Sequence, residues 1–321
     1  MTRRSRVRTL KYAAARAAVV VVVLTVTALT VIGGQQTTFF QERFKTGQTV
    51  APAFEGWEQN PDGSVNLLFG YFNRNWEEQT HVPIGPANSI EPGGPDQGQP
   101  TRFFPRRNKF IFKIRVPKDF GNKEVVWTLT TQGKTERAYA TLKPDYKVDR
   151  RVYMTNMHMR LNVIDYPEFD QDMNDDVAPV VQLEGPSQRT VRVGEPLSLN
   201  AFVSDDGKLK VRAAPKGVND SDTTALGLRV AWFVYRGGGR VTFEPEQFKV
   251  WQDKTPGGNS PWTPGWTPPP LPADGKHPVK VTFDQPGNYT IRLLAHDGAL
   301  QTHADVIVNV TGAPTTSASA R

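Results

Sequence analysis

The sequence predicts an all-β protein of two β-sandwich modules placed after an N-terminal apolar helix. Three observations carry this reading. Apolar residues recur with a period of two in run after run. Gly (27) and Pro (26) are frequent enough to cut a 321-residue chain into short elements. One uncharged apolar stretch stands apart at the N-terminus. A period of two puts alternate side chains on opposite faces of a strand, and abundant turn formers favour short strands over long helices. At roughly 100–150 residues per domain, the length fits two folded units with tails.

The leader, residues 1–34, holds Arg3, Arg4, Arg6, Arg8, Lys11 and Arg16 and no acid. Residues 17–32 follow without a charge, and Gly33-Gly34 close the segment. A basic cluster, an apolar stretch and small residues are the layout of a signal peptide or signal anchor, with the arginines held on the cytoplasmic side. Cleavage stays open, because 17–32 is shorter than the ~20 residues of a spanning helix. In either case the chain beyond about residue 40 is expected in the cell envelope, membrane-anchored or secreted to the periplasm or extracellular space. The membrane is then the partner of the N-terminal segment. The net charge of +7 belongs to this leader, since the rest of the chain is close to neutral. A nucleic-acid-binding fold carries its basic excess on the folded part, so no nucleic acid is expected as partner. The absence of Cys excludes disulfides, thiolate nucleophiles and Cys-ligated metals.

After a polar linker over 35–49, the first module is expected over 50–145. Val65, Leu67, Phe69 and Tyr71 alternate, as do Phe110, Phe112, Ile114 and Val116 against Lys109, Lys113 and Arg115, with Ile111 the exception. Val125, Trp127 and Leu129 continue the pattern, and Gln132-Gly133-Lys134 reads as a hairpin turn before Tyr139 and Thr141. Residues 84–107 form a Pro- and Gly-rich loop long enough to suggest function. Its Arg102, Phe103, Phe104 and Arg106 pair aromatics with cations, which suits recognition of a sugar, carboxylate or peptide. The competing reading packs the two phenylalanines under the loop and leaves the arginines in water. Phe54-Glu55-Gly56-Trp57 and Phe69-Gly70-Tyr71-Phe72-Asn73-Arg74-Asn75-Trp76 resemble a segment of uncharacterised exported bacterial proteins, a resemblance that implies no activity.

The connector over 146–177 offers two metal chemistries. Met154, Met157, Met159 and Met173 with His158 suit Cu(I), although four thioethers also serve as gap-fillers in a core. Asp170, Asp172, Asn174, Asp175 and Asp176 supply hard oxygens for calcium, the one cofactor the sequence suggests. Their order before Pro179 resembles the calcium-binding linker between cadherin repeats, departing from it at Asp176 and by one extra residue before Pro179. The competing reading is a solvated acidic hinge.

The second module is expected over 178–311. Strands are read at 190–193, 197–199, 228–235, 241–243, 279–283 and 305–310, separated by Asp206-Gly207, Gly237-Gly238-Gly239, Pro286-Gly287-Asn288 and Asp297-Gly298. Val203-Ser204-Asp205-Asp206-Gly207, Trp232, Pro286-Gly287-Asn288-Tyr289-Thr290 and Asp297-Gly298 together resemble a PKD/Ig-like domain of bacterial exported proteins. That resemblance implies Trp232 between two sheets and a tyrosine corner or packed aromatic at Tyr289, both as core. A Pro-rich insert over 253–278 carries Trp262 and Trp266, which suit stacking on sugar rings or gripping a partner, or else covering a sheet edge. The tail over 312–321 is small and polar and reads as disordered.

No metalloprotease spacing, Gly-x-Ser-x-Gly or phosphate loop is present, so no catalytic residue is nominated and the protein is read as a non-enzyme. His296-Asp297 and His303 are the one histidine grouping a hairpin might bring together as a zinc or acid–base pair, against the commoner surface reading. The expected function is extracytoplasmic binding or adhesion, with glycan or envelope protein as partner. A structural spacer and a metal-binding envelope protein are the alternatives.

Overall fold

The computed structural model describes residues 44–150, 152, 175–209, 227–247 and 272–313. The leader, most of the connector, the Trp-rich insert and the extreme tail lie outside them. Among the described residues the protein is all-β, as expected, and no helix is long and apolar enough to cross a membrane.

In the first module β1 (Val50–Gln59), β2 (Val65–Asn73) and β6 (Arg106–Val116) form one antiparallel sheet in the order β1-β2-β6. A second sheet joins β4 (Asn88–Glu91), β7 (Val125–Thr131) and β8 (Lys134–Ala140) in the order β4-β7-β8. A short pair, β3 (Thr80–His81) with β5 (Arg102–Phe103), closes one side. Between the sheets Phe69 stacks on Phe112 at 5.1 Å and both meet Trp127 edge-on. Such clusters bury large apolar area and fix ring geometry.

Strand β2 is buried on nearly both faces, not half-buried as its alternation suggests. The Ile111 exception has the same cause. Phe69 pairs with Phe112 but Tyr71 pairs with Asn108, so β6 bulges outward between them. The bulge turns Ile111 inward, and it is buried. Gly70 permits this, since a Cβ there would stand 2.4 Å from the Asn108 carbonyl oxygen.

The second module is an Ig-like sandwich. One sheet has the order β10-β17-β16-β13, from Gln188–Arg192, Gln301–Thr311, Gly287–His296 and Arg229–Arg236. Here β10 runs parallel to β17 and the other pairs are antiparallel. In the facing sheet β11 (Leu197–Leu199) pairs with β15 (Val279–Phe283), which pairs with β14 (Val241–Glu244). Past Asn200 the same strand continues as β12 (Ala201–Ser204) and pairs with β9 (Val180–Leu183). This is the A-B-E-D against C-F-G pairing of an immunoglobulin-type fold. Trp232 is fully buried between the sheets and donates its indole N–H to the His277 carbonyl at 3.0 Å. The Tyr289 hydroxyl donates to the Gln285 carbonyl at 3.0 Å, which is a tyrosine corner.

Candidate functional site

The segment over 84–107, expected as one loop, carries β4, β5 and the start of β6 with irregular connections between them, and it joins the modules. Strand β13 is the outer strand of its sheet, and an uncovered edge of that kind invites pairing with another chain. The loop covers it. Thr101 donates its N–H to the Tyr235 carbonyl at 3.2 Å, and the Gly237 N–H reaches the Thr101 hydroxyl at 3.0 Å. Arg236 donates to the Gln99 carbonyl at 2.9 Å and holds Asp96 with two bonds of 2.8 and 2.9 Å. Phe233, Tyr235 and Leu294 of the second module belong to the apolar core of the first.

The four loop residues nominated for ligand recognition therefore lie inside the molecule, not on a presented surface. Phe103 is fully buried against Tyr71 and Trp127. Phe104 meets Phe233 edge-on at 5.7 Å, across the module boundary. Arg102 donates to the Gly239 carbonyl, and burial lowers its pKa. Arg106 lies over the Trp76 and Phe72 rings at 4.3 and 4.8 Å and is itself buried. The competing reading had the arginines in water. Instead they are spent on carbonyls and rings.

Buried amides that the sequence did not single out hold this loop. Asn88 donates to the Val82 and Pro100 carbonyls at 3.0 and 2.9 Å and accepts the Trp127 indole N–H at 2.9 Å. Asn108 reaches the carbonyls of Phe104, Pro105 and Arg106, and Asn73 those of Glu78 and Phe103. Each supplies bonds that a loop away from water cannot obtain from a ladder.

Beside the junction runs a groove of about 1150 Å³. The first module contributes Glu58, Phe110, Lys113 and Lys147, and the second Arg292, Gln301 and His303, with Asp149 and Arg150 beyond the last strand of the first. The Gln301 amide donates to the Phe110 carbonyl at 2.9 Å and ties the two walls together. Arg292 is held by Asp305 at 2.7 and 2.8 Å and lies 3.5 Å from the Tyr235 ring centroid. The groove lining thus holds more cationic than anionic side chains, with Arg292 already paired to Asp305.

A second polar cluster lies where the connector enters the second module. Asp176 precedes β9, Asp205 and Asp206 follow β12, and Asp297 follows β16. Burial pushes the Asp176 carboxyl up to about 7, with the charges of Asp297, Asp206 and Asp205 adding to the rise and Arg150 opposing it. Burial likewise raises Asp297 to about 6, against the N–H groups it accepts. The sequence read Asp205 and Asp297 as turn residues. Two Asp-Gly turns at the same end of the fold were the available signal.

Of the nominated calcium ligands, Asp170, Asp172 and Asn174 lie outside the described residues. Asp175 is exposed and its carbonyl accepts the Lys208 ammonium, while Asp176 is buried. Met154, Met157, Met159, Met173 and His158 lie outside as well, as do Trp262 and Trp266. His296 pairs with Gln301 and His303 with Leu294 across β16 and β17, so the two histidines are not direct neighbours. Among the described residues no group of three or more acidic or histidine side chains is placed to hold a metal ion.

The sequence matches no protein-family model and no curated protein. Among solved structures it is similar to the titin M10–obscurin-like 1 Ig complex at 16% identity, covering 44% of this chain and 99% of that one, with a TM-score of 0.23. It is also similar to domains 4 and 5 of the S-layer protein SbsC at 10% identity, covering 83% and 98%, again with a TM-score of 0.23. Drosophila OTK extracellular domains 3–5 follow at 9% identity, 82% and 60% coverage, and a TM-score of 0.21. The fold assignment rests on the strand pairing described above.

Proposed function

We propose that the chain is a non-catalytic binding component of the cell envelope, carried across the membrane by its leader, and that the groove between its sandwiches receives an acidic glycan or protein segment. The observation that carries this reading is the shared core, which fixes the two groove walls relative to each other. A preformed cleft loses little entropy on binding. Lys113, Lys147 and Arg150 favour an anionic partner. The insert with Trp262 and Trp266 adds a second candidate contact.

The same rigid junction also favours the role of an envelope spacer, which would bind nothing in the groove. Co-sedimentation of the full chain with native envelope fractions separates the two. We expect binding that Lys113→Glu with Lys147→Glu weakens at least tenfold, with a smaller loss for Trp262→Ala with Trp266→Ala. Undiminished binding by the charge-reversed protein would remove the groove from the proposal. Turnover of an envelope substrate would remove the non-catalytic reading.

A further inference from the structure

One wall of the groove is an open strand edge. Strand β6 is the outer strand of the sheet β1-β2-β6, and no described strand pairs with its other side. The edge of β13 differs, because Thr101 and its neighbours cover it. Phe112 is buried and Lys113 is exposed, so their side chains take opposite faces of β6, yet both line the groove. A cleft lined from both faces of a strand runs along its edge. The Phe110 carbonyl points the same way, since it accepts the Gln301 side-chain amide from the opposite wall. That amide makes the kind of bond that a neighbouring strand would make.

The regular part of the edge is Phe112–Val116, which pairs without a shift against Val65–Phe69. In an antiparallel ladder alternate residues turn N–H and C=O to the same side, so some of these groups face away from β2. Proteins often blunt such edges with bulges and charges. Here the bulge lies before Phe112 and leaves the regular part intact. Arg115 is engaged by Asp62 and Ser64. Lys113 stands 3.6 Å from Glu58, whose carboxylate also accepts the Asn66 amide at 2.8 Å. Glu58 and Asp149 are the acids of the groove lining, against Lys113, Lys147, Arg150 and the Asp305-paired Arg292.

We propose, taking the groove as the binding site, that a partner protein fills it by strand addition, laying an extended acidic segment along the outer edge of β6. An added strand completes the ladder with its backbone and is selected through alternate side chains. Side chains on the Lys113 face meet cations and are acidic. Those on the Phe112 face meet the apolar interior and are apolar. A glycan has no row of N–H and C=O groups to complete the ladder, so the edge favours a peptide. The Lys113 charge suits an anionic guest and deters a second β6 edge, because two copies would bring their lysines together.

The test uses the full chain in detergent and a labelled peptide of about ten residues that alternates glutamate and valine. Anisotropy should show saturable binding, weakened about tenfold or more by Lys113→Glu with Lys147→Glu. Methylating the central backbone nitrogens of the peptide keeps its charge and removes its ladder donors, and should weaken binding about tenfold or more. Hydrogen exchange of Phe112–Val116 should slow when the unmethylated peptide binds. An anionic oligogalacturonate should bind more weakly than the peptide and leave that exchange unchanged. Absence of peptide binding, equal binding by the methylated peptide, or tighter binding of oligogalacturonate overturns strand addition. So does exchange of Phe112–Val116 that is already fully slowed without peptide, since another part of the chain or a second copy would then hold the edge. If the peptide fails while envelope binding still falls on charge reversal, strand addition is overturned and the groove stands as a binding site. If charge reversal leaves envelope binding intact, the groove is lost and strand addition with it.

Discussion

The two sandwiches hold their buried segments by different means. In the second, regular ladders satisfy most of the backbone, and the specialised contacts are few: the Trp232 indole on the His277 carbonyl and the Tyr289 corner on Gln285. In the first, a long irregular segment runs through the interior, and its backbone is held by the side-chain amides of Asn73, Asn88 and Asn108. A ladder tolerates the loss of one side chain's hydrogen bond. A loop held by single amides does not. The contrast teaches that buried backbone can rest on very different numbers of replaceable contacts.

The largest effect is expected at the centre of the second core. Trp232→Ala should cost about 3–5 kcal/mol, since a fully buried indole leaves a cavity that rigid strands cannot close. Because Phe233, Tyr235 and Leu294 sit in the first module's core, both modules should melt together and both shift. Urea unfolding followed by calorimetry measures this. Two separate transitions, with only one displaced, would break the view that the modules share a core.

Acid should weaken the second module through His277. This ring is buried, its Nε2 lies 3.3 Å from the Gln247 amide oxygen, and burial lowers its pKa to about 4 from the usual 6.5. The unfolded chain therefore takes up the proton first. The contribution of the neutral ring is complete above pH 6.5 and is lost as pH falls from there toward 4, amounting to about 3 kcal/mol at the bottom of that window. Asp176 and Asp297 act in the opposite direction, because their raised pKa values make the folded state gain stability as pH falls. His277→Gln isolates the imidazole: its stability relative to wild type should rise steadily between pH 6.5 and 4. A pH-independent difference would mean that the ring is solvated or charged in the folded protein.

The amide comparison comes next. Asn88→Ala removes three buried hydrogen bonds at once, leaving the Trp127 N–H and the Val82 and Pro100 carbonyls without them, and should cost about 2–3 kcal/mol. Asn200→Ala in the second module removes one exposed bond to Glu184 and should cost about 0.5 kcal/mol or less. Equal losses would erase the distinction drawn between the modules.

The same distinction explains what could be read beforehand. The strands of the second module were legible because each carries its own alternation and ends in its own turn, as at Asp206-Gly207 and Asp297-Gly298. Trp232 and Tyr289 were legible as core for the same reason, being embedded in strong local patterns. The first module's sheets were legible, but its loop was not. Arg102 and Phe104 looked like a recognition surface because nothing nearby in sequence shows that β13, more than a hundred residues later, needs an edge covered. Arg106 and Ile111 were obscured by a bulge, which shifts facing by registry that no single strand records. Asp176 was legible as an acidic candidate, while its neighbours Asp205 and Asp297 were not, since loops separated by nearly a hundred residues meet only once the sheets have formed.

A pair of tyrosine substitutions sharpens the contrast most cleanly, because it changes one oxygen in each module. Tyr289→Phe keeps the ring packed on Phe283 and against Gly237, where a Cβ would stand 2.2 Å from the ring, and removes the hydroxyl's bond to the Gln285 carbonyl and its bond with the Gly239 backbone at the sheet's rim. Water can replace that donor, so the loss should be about 0.5–1 kcal/mol. Tyr71→Phe removes the acceptor of the Phe104 N–H at 2.8 Å inside the first module, where water has no access. A stranded buried donor costs more than a lost bond, and about 1–3 kcal/mol is expected. Denaturation midpoints of the two variants, taken at a common slope, decide the matter. If Tyr289→Phe is the more damaging, the corner and not the buried loop is the tighter polar constraint in this protein.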